Sequence, residues 1–269
     1  MVCYIKRYSP IKMSKLRQLA NRPDCPPACR QCALRKSDAF SPVSAAQLHY
    51  IEAMRSDRIG YSEGSQIKPE NRMTKALYTL YSGWAFRFKS LSDGRRQILN
   101  FLMPGDLIGL QEEFSDGPSH GVDAITDVTL CVFPISKLWD LYRDHSGLAY
   151  NVTWLAAREE SNVDENLLSA GRRNAVERIA ALLLHLHRRA THLGLADLAA
   201  NGSIAFPLTQ SHIADALGLS LIHTNRSLRK LRLAGLHRIE AGRLTIINPQ
   251  ALERLSEYYD EPRRQVPLI

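Results

Sequence analysis

The hydrophobic pattern of this chain changes from short strand-like runs to long helical ones, and the two kinds of segment do not alternate. Between residues 60 and 134 the runs are short and β-prone, and glycine turns such as Asp93-Gly94 and Pro104-Gly105 separate them. From Ile135 the helical period returns and persists to a terminal hairpin. Strands grouped before helices predict an α+β fold, and 269 residues suit about two domains.

The strand-rich part is expected to form a small antiparallel barrel or roll. One short helix precedes it, over residues 41–58, where a serine start is followed by apolar residues at helical spacing. Within the strand block, Trp84, Phe86 and Phe88 alternate with Ala85 and Arg87, which is typical of a strand. Periodicity alone does not distinguish a roll from an ordinary β-sandwich, so both remain open.

A long amphipathic helix follows. Its apolar stripe comprises Leu148, Val152, Leu155, Val163 and Leu167. No proline or glycine interrupts residues 148–170, so one helix is predicted, with Gly171 at its C-terminal end. Such a stripe needs a partner, either a second copy in a dimer seam or the β domain of the same chain.

The segment from Thr209 to Gly235 predicts a helix-turn-helix. Two short helices are joined by a turn containing Gly218. Either Thr209 or Ser211 is placed to begin the first helix, and Ser220 is placed to cap the second. The expected inner positions are Ile213, Ala214, Leu217 and Leu219 in the first helix, and Leu221, Thr224, Leu228 and Leu231 in the second.

Charge favours DNA as the ligand of this motif. Residues 221–243 contain six basic residues, Arg226, Arg229, Lys230, Arg232, Arg238 and Arg243, against one acid, Glu240. Such cations suit phosphate contacts, while Arg and Asn can read base edges in the major groove. The candidate DNA-binding residues are Thr209, Gln210, Ser211, Ser220, His223, Asn225, Arg226, Arg229 and Lys230. A hairpin turned at Ala241-Gly242 is the expected wing. A solvated basic helix in a helical bundle is the alternative.

Taken in order, these pieces resemble the CRP/FNR transcription regulators over about residues 29–255. The matching motifs are Leu80-Tyr-Ser-Gly83, Gly94-Arg-Arg-Gln-Ile-Leu, Pro104-Gly-Asp-Leu-Ile-Gly109, Arg172-Arg-Asn-Ala-Val-Glu-Arg-Ile-Ala180 and Leu208-Thr-Gln-Ser-His-Ile-Ala-Asp-Ala-Leu-Gly-Leu219. The chain also resembles a subgroup with His-Thr-Asn-Arg on its recognition helix, here from His223.

The resemblance implies a fold and partners. Expected are a lead over 1–40, a cyclic-nucleotide-binding-type β-roll over 41–137, a dimerisation helix over 138–170, a winged helix-turn-helix over 171–255 and a tail over 256–269. The implied protein is a homodimer that binds a palindromic operator in double-stranded DNA and acts on RNA polymerase. Loops at Asp93-Gly94 and from Glu112 to Gly117 are candidate polymerase contacts.

Departures from the family pattern bear on the effector and on the operator. Leu110 follows Gly109 where cyclic-AMP-binding members have a glutamate, and Pro118 with Ser119 align with their arginine and serine. A cyclic phosphate without that cation would be buried largely uncompensated, so cyclic AMP is not expected as a ligand.

Oxygen-sensing members place Glu-x-x-Ser-Arg where this chain has Ile222-x-x-Asn225-Arg226, so the operator should differ at one base.

The cysteines suggest a second kind of chemistry. Four of the five, Cys25, Cys29, Cys32 and Cys131, have soft-ligand spacing or resemble the family's cluster cysteines. The resemblance is partial, since Asp38 stands where the third essential cysteine of oxygen-sensing members lies. An iron–sulfur cluster, a zinc site or a thiol redox switch, and simple buried thiols all remain open.

Composition limits the other classes of function. Hydrophobic residues make up 45% of the chain and charged residues 23%, which excludes wholesale disorder. No apolar run approaches the roughly 18 residues of a membrane span, and the basic start has no apolar signal region, so a cytoplasmic protein is expected. The spacing Cys25-x3-Cys29-x2-Cys32 also occurs in radical-SAM enzymes, but those need alternating β and α units. The sequence therefore predicts no enzyme; a DNA-binding regulator controlled only by its abundance is a further alternative.

Overall fold

The structure, a computed structural model, describes residues 29–111, 120–259 and 264–269. Two antiparallel sheets of four strands form its N-terminal part, with strand orders β1-β8-β3-β6 and β2-β7-β4-β5. The strands are β1 (Asp57–Tyr61), β2 (Gln66–Lys68), β3 (Ala76–Ser82), β4 (Ala85–Ser90), β5 (Arg96–Leu102), β6 (Leu107–Ile108), β7 (Gly121–Ala124) and β8 (Val128–Pro134).

The two sheets enclose one apolar core. Leu80 and Leu130 come from the first sheet, and Leu102 and Val122 from the second, and all four are fully buried. The β3–β4 turn depends on Gly83, whose φ is +88°, because a Cβ there would lie 2.2 Å from the carbonyl oxygen of Asp127. The predicted roll-type fold is confirmed.

One helix precedes the roll in sequence and two follow it. They are α1 (Ala45–Met54), α2 (Leu138–Asp144) and α3 (Ser146–Arg172). A capping box between Ser44 and Gln47 begins α1, within the range expected for this helix. The helical segment after the roll is interrupted at His145, whose φ and ψ are −135° and 69°, so it consists of two helices.

The prediction that Gly171 ends the long helix was wrong. Helix α3 continues through Gly171 to Arg172, and Arg173 leaves the helical conformation at φ −82° and ψ 144°. Gly171 is absent from the positive-φ glycines of the described residues, so it does not act as a left-handed cap.

The C-terminal part is helical with one small sheet. Its helices are α4 (Ala175–His192), α5 (Gln210–Leu217), α6 (Leu221–Leu233) and α7 (Pro249–Ser256). The predicted hairpin, β11 (His237–Glu240) and β12 (Arg243–Ile246), is joined by β9 (Ala196–Asp197) and β10 (Ser203–Ala205) in the order β11-β12-β10-β9. Strands β9 and β10 were not predicted, because they have only two and three residues, and helix α7 was not predicted either.

The last residues return to the N-terminal part. Val266 bridges to Phe40 in parallel, and the hydroxyl of Thr79 in β3 donates to the carbonyl oxygen of Ile269 at 2.8 Å. Leu268 and Ile269 are buried in the same apolar cluster as Phe40. Residues 264–269 therefore pack against the N-terminal part. Within the described ranges, no helix has the length and apolarity needed to cross a membrane.

Candidate nucleic-acid interface

Local capping positions the two helices of the helix-turn-helix. The side chain of Thr209 accepts a hydrogen bond from the backbone of His212 at 3.2 Å, which begins α5. Gly218, at φ +62°, ends α5 in the left-handed conformation. The Ser220 hydroxyl then accepts from the backbone N–H of His223 at 3.3 Å and begins α6. The sequence left Thr209 and Ser211 both open as the first cap, and the structure selects Thr209.

Helix α6 has one buried face and one exposed face. Thr224, Leu228 and Leu231 are buried at spacings of four and three residues, as predicted. The prediction that Leu221 is an inner residue was wrong, since 47% of it is exposed. Leu221 is the first residue of the helix, where neighbouring turns cover it least.

All nine candidate DNA-binding residues are exposed, and they come from the beginnings of α5 and α6 and from the outer face of α6. Arg226, Arg229 and Lys230 form no salt bridge with any residue that the structure describes. Because these cations are not neutralised within the described chain, they are available to an anion from outside.

The wing is a hairpin with a two-residue turn. Residues 237–240 pair with 243–246, and Ala241 and Gly242 both have positive φ, at 49° and 70°. Arg238 is exposed, whereas Arg243 is only partly exposed and is bound by residues of the neighbouring strands, with Asp197 at 3.5 Å. Its guanidinium donates to the Ser203 hydroxyl at 2.8 Å and to the Ser203 carbonyl at 2.9 Å. Arg243 therefore serves the fold and is not a free phosphate contact.

The roll contains buried cations that the sequence analysis did not consider. Lys68 is fully buried and its ammonium donates to the carbonyl oxygen of His120 at 3.0 Å. Arg87 is buried beside Glu159 of α3, with which it forms a salt bridge. Burial and the charge of Arg87 lower the pKa of Lys68 to about 8, and burial lowers the pKa of Arg87 to about 10. Both side chains are thus held by protein groups.

These buried cations bear on whether the roll can bind a cyclic nucleotide. The alternation of Phe86, Arg87 and Phe88 did not predict a buried arginine, because Arg87 lies on the side of β4 whose Ala85 packs in the roll core, and its partner Glu159 comes from the distant helix α3. Leu110 is partly buried against the apolar cluster around Cys131, whereas Pro118 and Ser119 lie outside the described residues. The absence of cyclic AMP binding stays a prediction.

Three of the four candidate metal cysteines lie in one region. Cys29, Cys32 and Cys131 are buried, and all three influence the pKa of Arg35 through their charge. Arg55 donates to the Cys29 sulfur at 3.4 Å. Burial raises the pKa of the Cys29 and Cys131 thiols despite nearby arginines, which disfavours the reactive thiolate at neutral pH.

The described residues do not by themselves supply a metal site. No group of three or more His, Cys, Asp or Glu side chains among them is arranged to hold a metal ion. Asp38 is exposed, unlike the three thiols, and Cys25 lies outside the described residues. The predicted set of Cys25, Cys29, Cys32 and Cys131 therefore depends on Cys25.

A buried carboxylate joins the roll to the two helices that lead to the DNA-binding part. Asp106 is 2% exposed and accepts from Arg158 of α3 at 2.9 Å and from the backbone of Met103 at 2.8 Å. Arg189 of α4 forms a salt bridge with Asp106 Oδ2, the oxygen that also accepts from Met103, whereas Arg158 contacts Oδ1. A second contact joins Arg96 of β5 to Asp215 of α5 at 2.9 Å. The roll thus contacts the helix-turn-helix directly.

This combination of a sensor-type roll, a long helix and a winged helix-turn-helix with an exposed basic face defines a DNA-binding transcription regulator. Residues 58–145 match the cyclic nucleotide-binding domain family, and residues 177–255 match the Crp-like helix-turn-helix domain. The chain belongs to the CRP/FNR family of transcription regulators. Members of this family are transcription factors rather than enzymes.

The chain is similar to known regulators over most of its length. It is 32% identical to the nitrogen fixation regulation protein FixK of Bradyrhizobium diazoefficiens, over 85% of this chain and 93% of that protein. It is 26% identical to the transcriptional activator protein FnrL of Cereibacter sphaeroides, over 81% and 87%. The solved structure of FixK2 from Bradyrhizobium japonicum matches with a TM-score of 0.65 and 31% identity, over 74% of this chain and 96% of that one.

Proposed function

We propose that the protein is a cytoplasmic homodimer that binds a palindromic operator through two copies of α6 and acts on RNA polymerase. The observation that carries this proposal is the exposed face of α6, where Arg226, Arg229 and Lys230 are free of salt bridges within the described residues. Recognition helices of this kind lie in successive major grooves, so the half-sites should be about one helical turn apart.

Changing Arg226 to alanine tests the interface. Arg226 is exposed one turn into α6, in reach of a guanine edge, so its loss should cost about 1–3 kcal/mol of specific binding and relax one base position. Gel shifts on a selected operator measure this. Arg95→Ala is the control, because Arg95 pairs with Asp93 in the β4–β5 turn. Unchanged affinity of the Arg226 variant would mean that α6 is not the recognition helix.

The dimer is proposed to form along an outward stripe of α3, which we name the α3 seam. It comprises Ala156, Glu160, Val163, Leu167 and Ala170, all exposed and spaced alternately by four and three residues. This spacing is that of a two-stranded coiled coil. Val163 and Leu167 are 54% and 71% exposed, and pairing would remove their apolar surface from water.

Leu167→Glu should convert the dimer to a monomer, because it buries an unpaired charge in the seam. Ser161→Glu adds the same charge at an exposed position of α3 outside the seam and should leave the dimer intact. Analytical ultracentrifugation of both variants measures the mass. A wild-type monomer, or a dimeric Leu167 variant, would contradict the α3 seam.

We propose that control is exerted through the roll by a signal other than a cyclic nucleotide. The support is the leucine at position 110 and the engagement of Arg87 by Glu159, which leaves that cation already paired. Calorimetry with cyclic AMP and cyclic GMP is the test, and micromolar affinity for either would contradict the proposal. If the protein were controlled by its abundance alone, its affinity for the operator would stay unchanged with every signal tried.

Oxygen or redox state is the signal we propose, with Cys25, Cys29, Cys32 and Cys131 as the responding residues. The support is the convergence of three buried thiols on Arg35, at the junction of the lead with β8. Anaerobic purification, visible absorption and iron and zinc analysis separate a metal centre from plain thiols. A colourless, metal-free protein whose Cys→Ser variants bind the operator identically with and without oxygen would contradict this role.

A further inference from the structure

We propose that Ile222 determines operator specificity by packing against the C5-methyl group of a thymine in each half-site. The inference rests on the proposed function, since it assumes that α6 enters the major groove. Ile222 is the second residue of α6 and 71% of its surface is exposed. Packing within the described chain therefore does not explain why an isoleucine stands at this position.

The position of Ile222 on α6 places it beside the exposed cations of the helix. The buried face of α6 is marked by Thr224, Leu228 and Leu231. Ile222 and Arg226 are four residues apart, and Arg229 is three further on, so they form the opposite stripe. When the cations of this stripe face DNA, Ile222 faces the bases beside them.

The chemistry of the side chain then selects the base. Isoleucine offers neither a donor nor an acceptor, so opposite the polar edge of guanine, adenine or cytosine it would leave base groups unpaired. Thymine is the base that presents a methyl group in the major groove. The rise of four helical residues is about 6 Å, and base pairs are about 3.4 Å apart. The thymine should therefore lie one or two base pairs from the base that Arg226 reads.

Single exposed apolar side chains are common and often have no role, so a matched control is needed. Leu233 provides one, because it is 73% exposed and is the last residue of α6. It lies on the same stripe as Ile222, three turns further along. Recognition helices contact bases with their N-terminal residues, so Leu233 should not affect base preference.

The experiment uses the full chain and begins with binding-site selection from random duplexes. Each thymine of the selected half-site is then replaced by deoxyuridine, which removes only the methyl group. At one position this should weaken wild-type binding about fourfold per half-site. Ile222→Ala should weaken binding to the unmodified operator to a similar degree and lose sensitivity to deoxyuridine, whereas Leu233→Ala should behave like the wild type.

A second arm isolates the methyl group from the rest of the base pair. At the same position, a pair of 5-methylcytosine with guanine should bind more tightly than unmodified cytosine with guanine. Equal binding of those two duplexes, or tolerance of deoxyuridine at every thymine, would overturn the role of Ile222 while leaving DNA binding intact. Failure to select any sequence would instead overturn the proposed function. Thermal unfolding of both variants should match the wild type, because both residues are exposed.

Discussion

At the turn of the wing, Ala241 has a backbone conformation that alanine seldom adopts. Its φ is 49° and that of Gly242 is 70°, the pattern of a type I′ turn. The Cβ of an L-residue is crowded in this region, at a cost of roughly 1–2 kcal/mol. Asparagine tolerates the conformation better, and Asn-Gly is the preferred pair for this turn.

Ala241→Asn should therefore raise the free energy of unfolding by about 0.5–1 kcal/mol. Urea denaturation at neutral pH measures the change. Ala234→Asn is the matched control, since Ala234 is also exposed but has φ −76° and carries no such strain. An equal gain from both variants would show that the effect does not come from the turn.

At the scale of the element, the recognition helix depends on the cap that begins it. Ser220→Ala removes the hydroxyl that accepts from the backbone of His223, and should destabilise the protein by about 0.5–2 kcal/mol. Urea denaturation measures the loss. Ser211→Ala should change little, because its side chain caps nothing within the described residues. If Ser211→Ala were the more damaging, α5 would not begin at Thr209.

Helix α3 shows how a single periodic pattern can serve two surfaces. Leu148, Val152 and Leu155 are buried against the roll, whereas Val163 and Leu167 are exposed. The apolar stripe turns gradually around the helix, because its spacing does not match 3.6 residues per turn. Packing within the chain, one of the two sequence-based alternatives, thus applies to the first half of α3, and the dimer seam stays a proposal for the second half. Residue spacing could not show which half of α3 is buried, because the point at which the roll stops covering the helix depends on the tertiary structure.

At the scale of the whole molecule, Asp106 connects parts that are distant in sequence. Burial by itself would raise its pKa, but Arg189, Arg158 and the backbone of Met103 outweigh burial and hold the pKa below the ordinary value. A depressed carboxyl pKa adds stability above the unfolded pKa of about 3.9, and this is lost as pH falls through the folded value.

Asp106→Asn should lower the free energy of unfolding by about 3–5 kcal/mol at neutral pH, because two partly buried arginines lose the buried carboxylate that both contact. Its unfolding should also depend less on pH below about 4 than that of the wild type. Denaturation at several pH values measures both effects. Asp93→Asn, at an exposed pair with Arg95, should leave stability unchanged. If Asp106→Asn left the free energy of unfolding unchanged, the contact between Asp106, Arg158 and Arg189 would not be needed for stability.

The sequence by itself determined the order of the strand-rich and helical parts and the DNA-binding motif. Capping residues, glycine turns and the period of apolar residues act over a few positions, so the cap at Ser220 and the exposed cations of α6 could be inferred from neighbours alone. Tertiary structure decided which side chains are buried or paired with partners from distant parts of the chain. It buried Arg87 under α3, bound Arg243 to Ser203, returned the tail to β3 and brought Asp106 to Arg189. Charged residues look alike in sequence whether they face water or a distant partner, because burial depends on packing between elements that local pattern does not specify.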